Sequence, residues 1–349
     1  MFSAPPSPPR PPRRRAVRAG AVLLVVSAVL AWWLWPAGDT GPRGRITFST
    51  GVPSGVYQRY GELLREALRR DLPGVATELR DSEGSQQNLA RLASGEADFT
   101  IATADAVATY VQERRPGWKR LRGCTRLYDD YVQLVVPQGS TVGSVRDLGD
   151  LRVGVGQDGS GVRLLADRLL TAAGLDPATD VRAVPAGIDT MPELMEEGRL
   201  DAFFWSGGLP TSAILRLSER FPVRLVPLET ELLDAVHALG AGHGSGTGTA
   251  GGEDGLNRHY RSAMIPMDAY ARIPSREPVQ TVAVANLLVT TDRMDAGLTE
   301  AVTRTVIGSR DRIGRVVHPA QLVDLRTAVY TDPLPLHEGA RRYYRSVKP

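Results

Sequence analysis

Cysteine and histidine are scarce in this 349-residue chain. Cys124 is the only cysteine, so an intrachain disulfide and a cysteine-rich metal site are both excluded. The five histidines are dispersed with no pair at i, i+4, and the acidic residues form no metal-ligand pattern. A G-x-S-x-G nucleophile elbow is also missing, because Asp158 stands where the motif needs a glycine before Ser160. We therefore expect no enzyme, no metal and no cofactor.

Positive charge is in excess only at the N-terminus. The formal net charge is +3, and residues 1–36 hold five arginines and no acid, which leaves −2 for the rest of the chain. Nucleic-acid binding needs a basic face on the folded domain, so this class of partner is excluded. The composition, 42% hydrophobic and 23% charged, excludes wholesale disorder. A chain of this length folds as two domains or as one two-lobed domain.

An uncharged apolar run occupies residues 19–35, after a tail at 1–18 that is rich in proline and arginine. The run has about the minimum length for a membrane-spanning helix. Positive charge before it and none after it place the tail in the cytoplasm and everything downstream outside. We predict an uncleaved signal anchor in the cell membrane, a linker at 36–44 and an extracytoplasmic domain. The alternative is a cleaved signal peptide, which would leave a secreted or periplasmic protein.

From residue 45 onward, short apolar runs alternate with segments of helical periodicity. Such alternation indicates an α/β fold with mostly parallel sheets. Similar series of elements lie before and after residue 128, so we expect two α/β lobes with a ligand cleft between them. Residues 238–256, of which eight are glycine, predict a flexible surface loop. Among the predicted helices are 56–70, 85–94, 104–112 and 162–173, and among the predicted strands are 46–49, 131–136 and 281–290.

The segment STGVPSGVY, residues 49–57, joins a predicted strand to a predicted helix. Its glycines allow a ligand to approach the backbone, its hydroxyls donate hydrogen bonds, and the N–H groups of the helix start attract an anion. The alternative is an ordinary turn in which Ser54 caps the helix. The loop DSEGSQQN likewise leads into a helix, with Ser85 as the expected N-cap and Asn88 on the first turn. Asn88 points into the same cleft only if the ends of the strands face that cleft.

A second glycine-rich loop, GVGQDGSGVR at residues 154–163, contains a literal G-x-G-x-x-G. A dinucleotide site would need an acid at the end of the next strand, but that strand is followed by Pro185-Ala186-Gly187. We favour an anion receptor, in which Ser160 and the helix start bind a carboxylate and Arg163 adds a bidentate contact. The alternative is a glycine turn beside a solvated arginine.

A third candidate segment is FFWSGGLP, residues 203–210, in which a predicted strand runs into a glycine turn. Phe203 and Phe204 are expected in a lobe core. Trp205 stands at the end of the strand among small residues, so it is a candidate for a wall of the cleft.

Together these segments resemble the TAXI group of extracytoplasmic solute receptors, which serve tripartite ATP-independent periplasmic (TRAP) transporters. STGVPSGVY is similar to the family's G-T-G-G-x-Y loop, and GQDGSGVR to its G-x-x-G-S-G-x-R. ELRDSEGSQQNLARLASGEADFTIATAD and LDAFFWSGGLPTSAI resemble two further family blocks, and VQTVAVANLLVTT and PLHEGARRYYR fit its later segments. The resemblance extends over about residues 45–349. Val52-Pro53, Thr103 and Ser206-Gly207-Gly208 depart from the family pattern.

The resemblance implies a type II periplasmic-binding-protein fold with a hinge of crossing segments and an interlobe cleft. Lobe 1 would comprise residues 45–132 and 273–349, and lobe 2 residues 133–272. It further implies a small carboxylate ligand, glutamate-like or a dicarboxylate, and the membrane subunits of a TRAP transporter as partners. The implied ligand-binding residues are Thr50, Gly51, Ser54, Gly55, Val56, Tyr57, Ser85, Asn88, Thr103, Asp105, Ser160, Gly161, Arg163, Trp205 and Gly207.

Two other functions are compatible with the sequence. One is a membrane-tethered sensory or scaffold ectodomain of the same fold, which signals to another membrane protein instead of feeding a permease. The other is a dinucleotide-dependent enzyme that uses the 154–161 loop, although export of the domain argues against it.

Overall fold

Strands and helices alternate along the chain, as the sequence predicted. The structure is a computed structural model that describes residues 41–241 and 259–347, together with Val26. The predicted tail, nearly all of the predicted anchor, most of the linker and residues 242–256 of the glycine-rich loop lie outside the described residues. Met1–Gly41 and Pro42–Pro349 form separate units, and the fold below is that of the second. No helix in the described ranges combines the length and hydropathy that crossing a bilayer requires.

The elements of the second unit are numbered here in chain order. The strands are β1 (Gly44–Ser49), β2 (Val75–Arg80), β3 (Phe99–Thr103), β4 (Leu121–Pro137), β5 (Arg152–Gly154), β6 (Arg182–Val184), β7 (Ala202–Gly207), β8 (Val223–Val226), β9 (Tyr260–Ile265) and β10 (Val279–Thr291). The helices are α1 (Val56–Asp71), α2 (Ser85–Ser94), α3 (Ala104–Gln112), α4 (Gly161–Ala172), α5 (Met191–Glu196), α6 (Ser212–Arg220), α7 (Thr230–Ala241), α8 (Ala296–Gly308), α9 (Arg310–Gly314), α10 (Leu325–Ala328) and α11 (Glu338–Val347). Helix α7 includes residues 238–241, which the sequence assigned to the glycine-rich loop.

The ten strands of the described residues belong to one sheet, in the order β2-β1-β3-β10-β4-β7-β5-β6, with β8 beside β4 and β9 beside β10. β1 is parallel to β2 and β3, and β5 is parallel to β6 and β7. β4 and β10 run antiparallel to each other and to their other neighbours. The sheet is therefore mixed, and the prediction of mostly parallel sheets is wrong. The alternation of elements does not reveal that two long strands run against the rest.

Strands β4 and β10 carry the chain between the two lobes. They pair from Tyr131 opposite Ala283 to Leu121 opposite Thr291. β3 lies beside β10 in the first lobe, whereas β7 and β8 pair with the far end of β4 in the second. The sequence predicted only 131–136 of β4, because charged residues interrupt the apolar pattern before that point. Two strands shared by both lobes form the expected hinge of crossing segments.

Each lobe has its own apolar core. Phe48 and Tyr60 belong to a cluster in the first lobe, and Val153 and Phe204 to one in the second; all four are at most 1% exposed. The two α/β lobes, the crossing strands and the cleft confirm the predicted fold class. The residue numbers at which one lobe passes into the other stay a prediction.

Helix α1 packs closely on the loop that follows β1. Tyr60, Leu64 and Leu68 are buried at helical spacing, so one face of the helix lies on the sheet. Gly61 lies on the same face, and a Cβ there would be 2.5 Å from the methyl carbon of Thr50. Only glycine allows this approach, which holds the start of α1 at the ends of the strands, where the cleft lies.

Candidate functional site

A cavity lies between the two lobes. Its volume is about 70 Å³, counted as the space that the centre of a water molecule can occupy. The whole depression, including the open mouth of the cavity, has an empty volume of about 620 Å³. One water needs roughly 10–15 Å³ of such space, so the cavity holds several waters or a small organic molecule. Its first-lobe lining is Gly51, Val52, Gly55, Val56, Tyr57, Glu83, Gly84, Ser85 and Thr103. Its second-lobe lining is Gly156, Gln157, Ser160, Gly161, Val162, Gly187, Ile188, Trp205, Ser206 and Gly207, and Asp130 of β4 lies between them.

Ten of the residues predicted from the sequence line this cavity. They are Gly51, Gly55, Val56, Tyr57, Ser85, Thr103, Ser160, Gly161, Trp205 and Gly207. The indole N–H of Trp205 donates to the Thr211 hydroxyl at 3.2 Å, which fixes the ring as a wall. A Cβ on Gly207 would lie 2.5 Å from the indole nitrogen, so the glycine makes room for that ring.

Thr50 and Asn88 are buried, but they do not line the cavity. Asn88 Oδ1 accepts from the Ser49 hydroxyl at 2.7 Å, and its Nδ2 donates to the carbonyl oxygens of Thr50 at 2.7 Å and Ile101 at 3.0 Å. The Thr50 hydroxyl is bonded to Gln58 and to the Arg80 carbonyl. Both residues therefore hold the loops in position through hydrogen bonds within the protein.

Ser54 is exposed and does not cap α1. Gly55 is the N-cap residue, and no side chain bonds to the first turn. The Ser54 N–H instead donates a hydrogen bond to the Asp189 carboxylate. Burial raises the pKa of Asp189, and this hydrogen bond opposes the rise. The first N–H groups of α1 therefore face the cavity without a capping side chain, as a site for an anion requires.

Arg163 is not brought to the cavity. Its Nε lies 2.9 and 3.0 Å from the two carboxylate oxygens of Asp167, and its Nη1 lies 3.0 Å from Asp158 Oδ1. The i, i+4 spacing of Arg163 and Asp167 turns the guanidinium along the helix surface. The bidentate contact to a ligand carboxylate, expected from the sequence, has no counterpart in this geometry.

Asp105 links the lobes outside the cavity lining. Its Oδ2 accepts from the Tyr260 hydroxyl at 2.7 Å and lies 3.7 Å from the guanidinium of Arg168. Arg168 also donates to Tyr260 and to the Thr109 hydroxyl, each at 2.7 Å. Because Asp105 and Thr109 belong to α3 and the other two to the second lobe, this cluster holds the lobes together.

The start of α2 is occupied by the opposite lobe. The N–H groups of Gln86 and Gln87 both donate to the Gly159 carbonyl at 3.1 Å, and Gln86 Nε2 donates to the Ser160 carbonyl at 2.9 Å. Ser85 is the first residue of the helix, and the predicted N-cap position belongs to Gly84, whose φ is +128°. This helix start thus binds a loop of lobe 2 instead of a ligand.

Gly161 approaches the first lobe closely across the cleft. A Cβ there would lie 3.2 Å from Ser85 Oγ and 3.3 Å from Thr103 Oγ1, both in the first lobe. Ser160 caps the same helix, with its Oγ accepting from the Arg163 N–H at 3.0 Å. The lobes are therefore closed on each other, and a side chain with atoms beyond Cβ at position 161 would push against Ser85 and Thr103 of the first lobe.

A buried polar network lies beside the cavity. The Tyr57 hydroxyl donates to Asn286 Oδ1 and lies 3.2 Å from Ser85 Oγ, which accepts from the Thr103 N–H at 3.1 Å. Burial, and secondarily the charge of Asp130, raises the pKa of Tyr57 well above its ordinary value. Tyr57 is therefore a neutral hydrogen-bonding group at any physiological pH.

Asp130 is the main feature of the cavity that the sequence analysis missed. It is 4% exposed, and its Oδ1 has no hydrogen-bond partner. Burial raises its pKa to about 7, and the nearby amide of Asn286 opposes the rise. The register of β10 against β4 shifts at Asn286, between Ala285 and Leu287, and the Nδ2 of Asn286 completes no hydrogen bond. The only signal in the sequence is a pair of aspartates, Asp129 and Asp130, inside a buried strand.

The arrangement is suited to enclosing a solute. Among the described ranges, no three histidine, cysteine or acidic residues are placed to hold a metal ion. Cys124 is fully buried, and burial raises the pKa of its thiol, so it is not a nucleophile. Helix starts, hydroxyls and one buried carboxyl can bind a small polar molecule, but they form no nucleophile–base pair.

Residues 48–347 match the NMT1-like family. The chain belongs to this family. Similar solved structures include the periplasmic aliphatic sulphonate binding protein SsuA from Escherichia coli, with 15% identity, coverage of 88% of this chain and 84% of that one, and a TM-score of 0.45. A putative L-cystine ABC transporter from Listeria monocytogenes has 13% identity, coverage of 80% and 98%, and a TM-score of 0.47.

Proposed function

We propose that this NMT1-like protein captures a small carboxylate-containing solute in its interlobe cleft outside the cytoplasm and delivers it to a TRAP-type transporter. The observation that carries the proposal is the cavity between two closed lobes, with the starts of α1 and α4 in its walls. The apolar N-terminal run supports an extracytoplasmic location, and the resemblance of the glycine loops supports the TAXI group and hence the transporter class.

Backbone groups would bind the carboxylate. None of the described residues that line the cavity is an arginine or a lysine. The N–H groups of Val56 and Tyr57 at the start of α1 have no intrahelical acceptor, and the helix dipole adds partial positive charge there. The start of α4 faces the cavity through Gly161, and the hydroxyl of Ser206 is buried without a partner and free to donate.

Lobe closure would trap the solute. The contacts of Gln86, Gln87 and Gly161 with the opposite lobe exist only when the lobes are together. A solute that touches α1 in one lobe and α4 in the other interacts with both only in this closed state, so its binding shifts the population toward closure. A transporter can then distinguish the loaded form from the empty one.

A thermal-shift panel on the full-length protein tests solute capture. Succinate, glutarate, 2-oxoglutarate, L-aspartate and L-glutamate are the probes, and NAD⁺ tests the dinucleotide alternative. A ligand at 100 times its Kd stabilises the native state by about 2.7 kcal/mol, which raises Tm by several degrees. A folded protein whose Tm none of the carboxylates moves would contradict the proposal.

Delivery needs a separate measurement. Cells that express this chain with a candidate TRAP permease should take up the radiolabelled solute, and the permease alone should not. A sensory or scaffold ectodomain would bind the solute in the thermal-shift panel and give no uptake, which would refute the transport role.

A further inference from the structure

Asp130 is a carboxyl group at the cavity with no positive partner there. It lines the cavity and is 4% exposed, and its Oδ1 has no hydrogen-bond partner. Arg126 on β4 and Arg261 on β9 both pair with the neighbouring Asp129. None of the described residues that line the cavity is an arginine, a lysine or a histidine. An ionised Asp130 would therefore place an uncompensated negative charge beside the solute.

The groups around Asp130 are acidic or neutral. Burial raises the pKa of Asp130 to about 7, and the carboxylates of Asp129 on its own strand and Asp105 on α3 add to the rise. The nearby amide of Asn286 on β10 opposes it. Glu83 adds an exposed carboxylate to the lining of the cavity. Further polar groups nearby are neutral hydroxyls, which belong to Tyr57 on α1, Tyr128 on β4 and Ser206 on β7.

A bound carboxylate makes ionisation of Asp130 still less favourable. The cavity holds only several waters, so repulsion between a carboxylate inside it and an ionised Asp130 is weakly screened. The starts of α1 and α4 each carry about half a positive charge, so together they balance one negative charge and leave a second without a partner. Binding a proton removes the second charge, which is the usual response of a buried carboxylate that lacks a cation.

We propose that the protein captures its carboxylate solute together with a proton, and that Asp130 is the site that binds this proton. The inference rests on the proposed solute-binding function and adds a second ligand to the same cavity. It requires no direct contact between Asp130 and the solute, because the coupling is electrostatic.

The coupling has a definite sign. Each of two ligands that favour each other binds more tightly when the other is present, so protonated Asp130 strengthens solute binding. The affinity for the carboxylate should therefore fall as the pH rises through about 7 and Asp130 loses its proton. A solute that paired an ammonium group with Asp130 would favour the ionised form and give the opposite dependence.

Isothermal titration calorimetry on the full-length protein counts the protons. The probe is whichever of succinate, glutarate, 2-oxoglutarate, L-aspartate and L-glutamate raises Tm most, and its carboxyl groups are ionised from pH 6.5 to 8.5. Titrations at pH 7.5 in phosphate and in Tris, which differ in ionisation enthalpy, give the proton uptake. If the solute raises the pKa of Asp130 by about one unit or more, we expect uptake of roughly half a proton or more and an affinity about fivefold or more lower at pH 8.5 than at pH 6.5.

Asp130→Asn should bind the probe without proton uptake and with less than about a twofold change in affinity across this range. Glu83→Gln is the matched control, because it removes an exposed carboxylate from the same cavity lining. It should keep the proton uptake and the pH dependence of the wild type. If Asp130→Asn does not fold, infrared difference spectra of the wild type decide, since adding the probe at pH 7.5 should increase the band of a protonated carboxyl.

Three results would overturn the inference: no proton uptake by the wild type, proton release, or uptake that survives in Asp130→Asn. An unchanged carboxyl band would do the same. In each of these cases the probe still binds, so the proposed capture of a carboxylate stands. If none of the five probes binds the folded protein, the proposed function fails and the inference fails with it.

Discussion

Replacing Arg168 should weaken solute binding although the residue does not line the cavity. Arg168 belongs to the second lobe and donates to the Thr109 hydroxyl of the first at 2.7 Å. It also lies 3.7 Å from Asp105, which is 1% exposed. In Arg168→Gln, the closed state keeps Asp105 buried without the positive charge of the guanidinium. In an open state, water can reach the Asp105 carboxylate, so the substitution destabilises the closed state relative to the open one.

The size of the effect follows from these contacts. A hydrogen bond that involves a charged group contributes about 1.5–3 kcal/mol. Tyr260 continues to donate to Asp105, so the closed state should lose about 2–3 kcal/mol relative to the open state. Since only the closed state holds the solute at both lobes, this difference appears in the affinity as a decrease of about 30- to 150-fold.

Calorimetry with the tightest ligand from the carboxylate panel measures this decrease, and small-angle scattering of the unliganded variant should give a larger radius of gyration. Arg152→Gln is the matched control: Arg152 pairs with Asp201 at 2.6 Å, entirely within the second lobe. It loses an arginine–aspartate ion pair that does not join the lobes, so the affinity should be unchanged. An affinity of Arg168→Gln within twofold of the wild type would refute the idea that this cluster holds the lobes closed.

Three further predictions concern the cleft and the core. Gly161→Val should abolish the ligand-induced rise in Tm with little change in the unliganded Tm, because the valine side chain would meet Ser85 and Thr103 across the cleft. Gly139→Val is the control, since no atom lies within 4 Å of the new Cβ. A normal ligand response of Gly161→Val would contradict lobe closure. The pKa of Asp130 is about 7 in the folded protein and 3.8 in the unfolded chain, so between these values the folded state binds a proton that the unfolded chain releases. The free energy of unfolding therefore falls as the pH rises from about 4 to 7. Urea titrations should show Asp130→Asn without that decline, a difference on the order of 4 kcal/mol across the interval, and parallel pH profiles would refute the burial argument. Cys124, fully buried with a raised pKa, should react with a thiol reagent only in denaturant; rapid labelling of the native protein would show that the first-lobe core is open.

Local sequence signals predicted the elements around the cleft well. Ser85–Ser94 and Ala104–Gln112 have the bounds that periodicity predicted, and α1 begins at Val56 as expected. These segments combine glycine-rich turns with an apolar stripe at helical spacing, so every signal needed to place them lies within about twenty residues. The glycine loops around Gly51 and Gly161 were located for the same reason.

Side-chain roles were predicted less well than backbone positions. Arg163 and Asn88 are both near a helix start, but Asp167 and the Thr50 carbonyl engage them within the protein. Strand β9 and residues 121–130 of β4 were not predicted, because charged residues interrupt their apolar pattern. The register that places Asp130 beside β10 joins segments that are about 150 residues apart, and no local pattern reports such pairing.

By itself the sequence determined which segments become helices and strands, where glycine lets the chain turn, and that the chain folds into two α/β lobes, because these depend on short-range periodicity and backbone sterics. Only the tertiary structure decided the direction of the long crossing strands and which helix starts face the cavity or bind the other lobe. It also decided that Asp130 is buried at the cavity with a carboxyl oxygen that has no hydrogen-bond partner. Those properties arise from contacts between residues that are distant in the chain, and burial or charge pairing exists only once the lobes have closed.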